Sequence, residues 1–200
     1  HYGLPYQEDE KIGREGVKDY LTHISKYKPR DYQIDGVYDA LKRNRRLIIS
    51  PTGSGKSLMI YAITRYHAES GRKVLIVVPT TSLVEQMYKD FEDYGGEIEM
   101  YCHRIYAGKD FLSTKGVIIS TWQSIYKQDK KWFRQFDAVV GDEAHQFKSK
   151  SLVGIMTKMY DTKYRYGFTG TLDGTQTHKW VLEGLFGPSY KIINTKDLQD

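Results

Sequence analysis

The segment Ser50–Ser57, with the sequence SPTGSGKS, constrains the fold more than any other part of this chain. An apolar run, Leu47–Ile49, precedes it, and a helical pattern of apolar residues, Leu58–Ile63, follows it. A strand, a glycine-rich loop ending in Gly-Lys-Ser and a helix are the context of a phosphate-binding P-loop. The glycines allow successive backbone N–H groups to point at one anion. The segment therefore predicts a phosphate site at the start of a helix.

Each residue of this loop has an expected contact with a bound nucleoside triphosphate. Lys56 is expected to reach the β- and γ-phosphates, and the Ser57 hydroxyl is expected to hold Mg²⁺. The positive end of the helix dipole adds to the attraction at Lys56. Ser50 stands where the strict pattern has Gly or Ala, which is a small departure because serine is also compact. The residues expected to surround the phosphates are Thr52, Gly53, Ser54, Gly55, Lys56 and Ser57.

The composition limits the classes of protein to which the chain can belong. It has 200 residues, of which 40% are hydrophobic and 28% charged, and this fits one α/β domain with its own core. The formal net charge of +5 is compatible with a polyanionic partner. The single cysteine, Cys102, excludes an internal disulfide framework and indicates a reducing compartment. Because the chain begins with His1 rather than Met, we expect it to be a piece of a longer protein.

No stretch of the sequence indicates contact with a membrane. None approaches the ~18 apolar residues of a membrane span, and no charged-then-apolar signal segment opens the chain. We therefore expect no membrane association.

Strands and helices alternate along most of the chain. Strands are predicted at Leu47–Ser50, Lys73–Pro79, Gly116–Ser120, Asp137–Asp142 and Tyr164–Thr169. Helices are predicted at Glu15–Tyr27, Tyr32–Arg43, Lys56–Glu69, Lys130–Phe136, Ser149–Tyr160 and His178–Phe186, with a further helix capped by Ser82 and Glu85 that ends near Tyr94. Repeated βα units predict an α/β fold with a mostly parallel central sheet and helices on both faces.

The sequence Asp142-Glu143-Ala144-His145 directly follows a predicted buried strand. Hydrolysis at a P-loop needs a carboxylate that holds Mg²⁺ and a group that orients the attacking water. Asp142 stands at the strand end, where ligand-binding groups of open parallel sheets lie, and fits the metal role. Glu143 fits the role of general base. The alternative is a charged helix start, since acids stabilise helix amino ends, but the P-loop upstream favours the catalytic interpretation.

Six segments together resemble, in order, the motifs of superfamily 2 helicases, the DEAD/DEAH-type nucleic-acid motors. The segments are Tyr32-Gln33, Ser50–Ser57, Pro79–Leu83, Ser120–Ser124, Asp142–His145 and Phe168–Thr171. The resemblance implies that residues 29–200 form a RecA-like ATP-binding lobe, preceded by an N-terminal extension with a short helix over residues 1–28. It also implies a second RecA-like lobe that this chain lacks.

The resemblance assigns further roles to single residues. It implies that Gln33 reads the adenine of ATP and that His145, Thr169 and Thr171 couple hydrolysis to strand contacts. Nucleic-acid contacts are implied for Thr80, Thr81, Thr121, Trp122 and Gln123. The threonines can equally serve as ordinary helix N-caps, and Trp122 can equally be a core residue rather than a base-stacking one.

The implied function is that of an ATP- and Mg²⁺-dependent motor lobe of a DNA helicase or translocase that remodels branched DNA in recombination and repair. RNA is not excluded as a partner, and the implied location is the cytoplasm of a bacterium or of a phage-infected host. Two alternatives stay open: a nucleotide-gated nucleic-acid-binding module that does not unwind, and the motor part of a restriction or remodelling complex. In the family the second lobe supplies an arginine finger, so the isolated lobe is expected to be weakly active or inactive.

Overall fold

The computed structural model describes residues 11–51, 55–107, 110–170 and 178–192. The strands within these residues are β1 (Arg45–Ile49), β2 (Val74–Val78), β3 (Cys102–Ile105), β4 (Val117–Thr121), β5 (Ala138–Gly141), β6 (Tyr164–Thr169) and β7 (Ser189–Lys191). The helices are α1 (Arg14–Ile24), α2 (Asp31–Lys42), α3 (Lys56–Glu69), α4 (Thr81–Gly95), α5 (Ile98–Tyr101), α6 (Trp122–Ile125), α7 (Lys130–Phe133), α8 (Ser149–Lys158) and α9 (Lys179–Phe186), with a 3₁₀ turn at Ala144–Gln146.

The seven strands form one sheet in the order β3-β4-β2-β5-β6-β1-β7. Every pairing in this sheet is parallel. The predicted α/β architecture with a mostly parallel sheet is therefore confirmed. All carboxyl ends of these strands lie at one edge of the sheet, where open α/β folds bind ligands.

Side chains of the central strands alternate between two apolar clusters, one on each face of the sheet. In β2, Val74, Ile76 and Val78 join helices α1 to α4 on one face. The intervening Leu75 and Val77 join helices α7 to α9 on the other face. Because β2 is buried on both faces, its sequence is a continuous apolar run. The prediction that helices cover both sides of the sheet is confirmed. Among the described residues, no helix combines the length and the apolar character that crossing a bilayer requires.

Several features of the fold differ from the sequence-based expectation, among them the short helices α5 and α6, which were not predicted. Strands β3 and β7 were not predicted, since both are short and only half of their residues or fewer are buried. Helix α4 is capped by Thr80, whose hydroxyl accepts a hydrogen bond from the Leu83 N–H at 3.2 Å, so the predicted cap at Ser82 is wrong. Glu85 does not return to the helix start, because its carboxylate pairs with Arg104 of β3 at 3.0 Å.

Helix α3, which begins at Lys56, is anchored by buried hydrogen bonds along its length. The Tyr61 hydroxyl donates to the carbonyl of Ile24 at 3.0 Å. The His67 ring lies 2.8 Å from the Tyr166 hydroxyl of β6 and accepts a hydrogen bond from Arg72 Nε at 2.8 Å. Burial, reinforced by the Arg72 charge, lowers the pKa of His67 to about 3, so the ring is neutral at physiological pH. These contacts fix the helix that presents the P-loop lysine.

Glycines in β5 and β6 make room for the ring of Phe186 at the end of α9. A Cβ atom on Gly167 would lie 2.7 Å from the Phe186 ring and 3.1 Å from Leu47 Cδ1. A Cβ on Gly141, at the paired position of β5, would lie 2.9 Å from the same ring. Helix α9 can therefore pack close to the two strands that end at the candidate site.

We expect Gly167→Ala to lower the free energy of unfolding by about 1–3 kcal/mol, because the methyl group overpacks the contact with Phe186. Urea denaturation measures the change. Gly154→Ala is the matched control, because Gly154 lies inside α8 with open space around its Cα. That control is expected to raise stability by about 0.5–1 kcal/mol through helix propensity. A Gly167→Ala variant as stable as the unaltered chain would contradict the packing argument.

Candidate active site

The carboxyl ends of three neighbouring strands bring the predicted motifs together. Strand β6 lies between β5 and β1 in the sheet. The Ser50 N–H, directly after β1, donates to the carbonyl of Thr169 at 2.8 Å. The Asp142 N–H, directly after β5, donates to the carbonyl of Val77 at 2.9 Å. The ladder hydrogen bonds thus extend past the strands and fix the starting points of the P-loop and of the Asp142–His145 segment. Ser50 is itself buried, which explains why a compact residue is required there.

Lys56, at the start of α3, faces the two predicted catalytic acids. Its Nζ lies 2.8 Å from Asp142 Oδ1 and also contacts Glu143 Oε1. Burial alone would lower the pKa of Lys56, but the two carboxylates outweigh burial and raise the pKa above its usual value. The lysine is therefore charged, and the acids lie on the same side of the sheet as the P-loop.

Glu143 adopts a left-handed backbone conformation, with φ 52° and ψ 42°. A non-glycine residue in this region costs of order 1–3 kcal/mol and persists only where its surroundings hold it. Three contacts do so: its N–H donates to Asp142 Oδ1 at 2.9 Å, Gln146 Nε2 donates to its Oε2 at 3.3 Å, and His145 Nε2 lies 3.4 Å from Oε2. The carboxylate is thereby aimed at Lys56.

His145 joins the acidic segment to the end of β6. Its Nδ1 lies 2.6 Å from the Thr169 hydroxyl, and Thr169 is fully buried. A continuous series of contacts therefore runs from Thr169 through His145 and Glu143 to Lys56. The third predicted coupling residue, Thr171, lies outside the described residues.

Gln33 lies against the end of the P-loop. Its Nε2 donates to the carbonyl of Gly55 at 3.2 Å, and its Oε1 accepts from the Arg30 N–H at 2.9 Å. Gly55 has a φ of 69°, and a Cβ there would lie 2.2 Å from Gln33 Nε2. The contact therefore requires glycine at this position. The other predicted phosphate-binding residues, Thr52, Gly53 and Ser54, lie outside the described residues.

The Ser57 hydroxyl has two partners on helix α4 that the sequence did not indicate. It donates to Asp90 Oδ2 at 2.9 Å and accepts from the Tyr94 hydroxyl at 3.0 Å. Asp90 and Tyr94 lie outside every recognised motif, so the sequence does not indicate their contacts with Ser57. These contacts depend on the packing of α3 against α4.

The residues expected to hold a magnesium ion are chemically suited to it. Magnesium takes oxygen ligands, usually one or two carboxylates together with substrate phosphates. Asp142 offers a carboxylate that is only 3% exposed, at the end of β5. Ser57 offers a hydroxyl oxygen at the start of α3, the helix whose Lys56 contacts Asp142. The oxygen atoms of Asp142 and Ser57 therefore suit the Mg²⁺ ion that accompanies a nucleotide bound at a P-loop.

A groove of about 560 Å³ opens at the same sheet edge, beside the carboxyl ends of β2 and β4. Its lining residues are Pro79, Thr80, Thr81, Ala107, Thr121, Gln123 and Ser124. Gln123 Nε2 donates to the carbonyl of Pro79 at 3.3 Å and so joins the loops that follow the two strands. The structure thus brings together four of the five residues predicted to contact nucleic acid.

Two of these threonines also cap helices, and Trp122 lies elsewhere. The hydroxyls of Thr80 and Thr121 accept from the N–H groups of Leu83 and Ser124. Trp122 is not among the groove residues: it is half-buried, packs against the apolar cluster of α7 to α9, and its ring meets that of Tyr126 edge to face at 6.0 Å.

The family model described as type III restriction enzyme, res subunit, matches residues 26–174. The chain belongs to this family. The match spans the P-loop, the groove residues and the Asp142–His145 segment. The resemblance to superfamily 2 helicases that the motifs indicated is confirmed by this match and by the relatives below.

Relatives of this chain include a DNA helicase and a DNA translocase. It is 32% identical to the ATP-dependent DNA helicase uvsW of Enterobacteria phage T4 over 96% of this chain and 41% of that protein. It is 32% identical to the DNA 3'-5' translocase XPB2 of Sulfurisphaera tokodaii over 86% of this chain and 36% of that protein. The chain therefore spans about two fifths of the length of the curated relatives that it matches.

The solved structures confirm the RecA-like fold. The crystal structure of T4 UvsW superposes with a TM-score of 0.84 at 31% identity, over 94% of this chain and 41% of that one. The parallel sheet is thus that of a RecA-like helicase lobe.

We expect Thr169→Val to lower the free energy of unfolding by about 0.5–1.5 kcal/mol, because the buried hydroxyl loses its hydrogen bond to His145. Thermal and urea unfolding measure the effect. In a His145→Ala background the same change is expected to cost less, as a double-mutant cycle would show.

Thr157→Val is the matched control for this cycle. The Thr157 hydroxyl is exposed on α8 and, in the described part of the chain, donates to the Val153 carbonyl of its own helix at 2.7 Å. Equal losses for Thr169→Val with and without His145 would mean that the two side chains are not energetically coupled.

Proposed function

We propose that this chain is the ATP-binding motor lobe of a superfamily 2 DNA helicase or translocase, which couples ATP hydrolysis to movement on DNA or to remodelling of branched DNA. The observation that carries the proposal is the ion pair of Lys56 with Asp142 and Glu143. It brings a P-loop lysine, a candidate metal ligand and a candidate general base to one point. That point lies at the same sheet edge as the groove of Thr80, Thr81, Thr121 and Gln123.

The three charged residues divide the chemistry among themselves. The phosphates of ATP compete with the two acids for Lys56, since they carry more negative charge. Once Lys56 turns to the β- and γ-phosphates, Glu143 is released to orient and deprotonate the attacking water. Asp142 and Ser57 would hold Mg²⁺, which neutralises charge on the phosphate oxygens. Gln33 lies where the P-loop ends and is placed to sense the bound nucleotide through Gly55.

The groove supplies the nucleic-acid side of the motor. Hydroxyl and amide groups near helix amino ends bind phosphates without reading sequence. Thr80 and Thr121 stand at the amino ends of α4 and α6, and both line the groove. The names of the uvsW and XPB2 relatives point to DNA as the partner. The contact series from Thr169 to Glu143 would couple hydrolysis to strand contacts.

A second RecA-like lobe is part of the proposal. The chain spans about two fifths of the length of its curated relatives, which leaves room for such a lobe in the whole protein.

A second function class also has support. The description of the family model, type III restriction enzyme, res subunit, favours a motor within a restriction complex, where translocation serves another domain.

The test of the proposed site contrasts two substitutions in a protein that contains both lobes. Lys56→Ala is expected to remove most ATP affinity, because the counter-charge to the phosphates is lost. Glu143→Gln is expected to keep ATP binding and to stop hydrolysis, because the amide cannot accept the proton. Binding of a fluorescent ATP analogue and DNA-stimulated phosphate release measure the two effects.

Glu183→Gln is the matched control for the Glu143 substitution. It changes an acid of α9 that pairs only loosely, at 3.8 Å, with Lys179. A Glu143→Gln enzyme with normal turnover would refute the assignment of the general base. Absence of ATPase in the two-lobed protein would favour the nucleotide-gated binding module instead.

The isolated chain is expected to hydrolyse ATP at least about 10³-fold more slowly than the two-lobed protein, because an arginine finger can be worth ~10³–10⁵ in rate. Side-by-side phosphate-release assays with branched DNA measure the ratio. Full DNA-stimulated turnover by the 200-residue chain alone would show that one lobe holds the whole active site.

A further inference from the structure

Helix α4 holds the hydroxyl group of the serine that ends the P-loop. Asp90 Oδ2 accepts a hydrogen bond from the Ser57 hydroxyl at 2.9 Å, and the Tyr94 hydroxyl donates to Ser57 Oγ at 3.0 Å. A serine hydroxyl has one proton and two lone pairs. Among the described residues, these two contacts use the proton and one lone pair, so the second lone pair is available to a cation.

We propose that Asp90, assisted by Tyr94, is a positioning residue that orients the Ser57 hydroxyl so that its remaining lone pair serves the magnesium ion of the bound nucleotide. The inference rests on the proposed function and names an additional determinant of metal affinity at that site. A carboxylate that accepts the hydroxyl proton also increases electron density on Oγ. Outer partners of this kind orient and strengthen metal ligands.

The carboxylate of Asp90 is itself held in a fixed orientation. Gln86 Nε2, one turn earlier on α4, donates to Asp90 Oδ1 at 2.9 Å. One carboxylate oxygen is thus occupied by the helix, and the other points at Ser57. This division of the two oxygens is what a positioning carboxylate requires.

Aromatic packing fixes Tyr94 in the same way. Its ring centroid lies 5.3 Å from that of Tyr61 and 5.9 Å from that of Tyr27. Tyr61 belongs to α3, the helix that begins beside Ser57. The hydroxyl of Tyr94 therefore cannot leave Ser57 without disturbing the interface of α3 and α4.

The neighbouring acid on α4 shows that contact with Ser57 is not a general property of that helix. Asp93 pairs with Lys26 at 2.8 Å and accepts from the Tyr27 hydroxyl at 2.6 Å, both in the segment that follows α1. Asp93 thus has the same chemistry and the same helix as Asp90, but a different partner. It provides a matched control for the removal of a carboxylate from α4.

The test measures how much Mg²⁺ tightens nucleotide binding. A fluorescent ADP is titrated with this chain in Mg²⁺ and in EDTA, and the ratio of the two dissociation constants is the readout. Asp90→Ala is expected to reduce this ratio by about tenfold, the lower end of the cost of removing an outer-sphere partner, with the EDTA value unchanged. Asp90→Asn, which keeps an acceptor oxygen, is expected to restore part of it. Tyr94→Phe is expected to reduce the ratio by about two- to tenfold, the range for one neutral hydrogen bond.

Three outcomes overturn the inference. The Asp93→Asn control keeps an acceptor for the Tyr27 hydroxyl, whose ring packs on Tyr94. If this control loses as much of the Mg²⁺ ratio as Asp90→Ala, the effect belongs to the helix as a whole. A loss of affinity that is equal in Mg²⁺ and EDTA, in Asp90→Ala and Asp90→Asn alike, would assign Asp90 to helix packing. If Asp90→Ala lowers the Mg²⁺ ratio as much in a Ser57→Ala background as in the unaltered chain, then Asp90 does not act through Ser57.

The failure of the proposed function looks different. In that case the unaltered chain shows no difference between Mg²⁺ and EDTA, and the inference falls together with the nucleotide site. Thermal unfolding of each variant shows whether the fold is retained, and Tyr94→Phe supplies a second reading if Asp90→Ala does not fold.

Discussion

The ion pair of Lys56 with Asp142 and Glu143 is the interaction on which the rest of the site depends. It spans the gap between the loop after β1 and the segment after β5, two strands that β6 separates in the sheet. Removing three charged groups from water is costly unless they compensate one another. Here the lysine offsets part of the charge of the two acids. The strained backbone of Glu143 is held by further contacts with Asp142, Gln146 and His145. The protein thus keeps Lys56, the proposed phosphate-binding lysine, ordered by means of the two acids that we propose to act on the same substrate.

The parts of the fold that the sequence could predict are those with strong local signals. Residues Lys56–Glu69 and Tyr164–Thr169 form the predicted helix and strand to the residue. In the helix, the run of apolar residues Leu58–Ile63 follows the glycine-rich loop, and in the strand the rings of Tyr164, Tyr166 and Phe168 alternate with other residues. The positions of Lys56, Asp142 and Glu143 at one sheet edge also followed from sequence, because parallel strands that precede such motifs must end at the same edge.

The parts that could not be predicted depend on contacts between distant segments. Strand β3 carries His103 and Arg104 at half-buried positions, so its sequence lacks the apolar run of a central strand. Ser82 and Thr80 are both of a residue type that caps helices well. Thr80 is the cap because its backbone is still extended after β2, while Thr81 already begins the helix. Asp90 and Tyr94 lie on a helix whose amphipathic pattern predicts its buried face but not its polar partners. The packing of α3 against α4 selects them.

Helix α4 begins in the groove, where Thr80 and Thr81 form part of the lining, and reaches Ser57 through Asp90. The distance from Thr81 to Asp90 along the helix axis is ~14 Å at the usual rise per residue. A helix of this length behaves as a stiff rod over that distance, so its two ends cannot shift independently. Any shift of the rod at the groove end therefore also displaces the acceptor of the serine proton. A single helix thus joins the groove that we propose for nucleic acid to the serine that we propose for the metal ion.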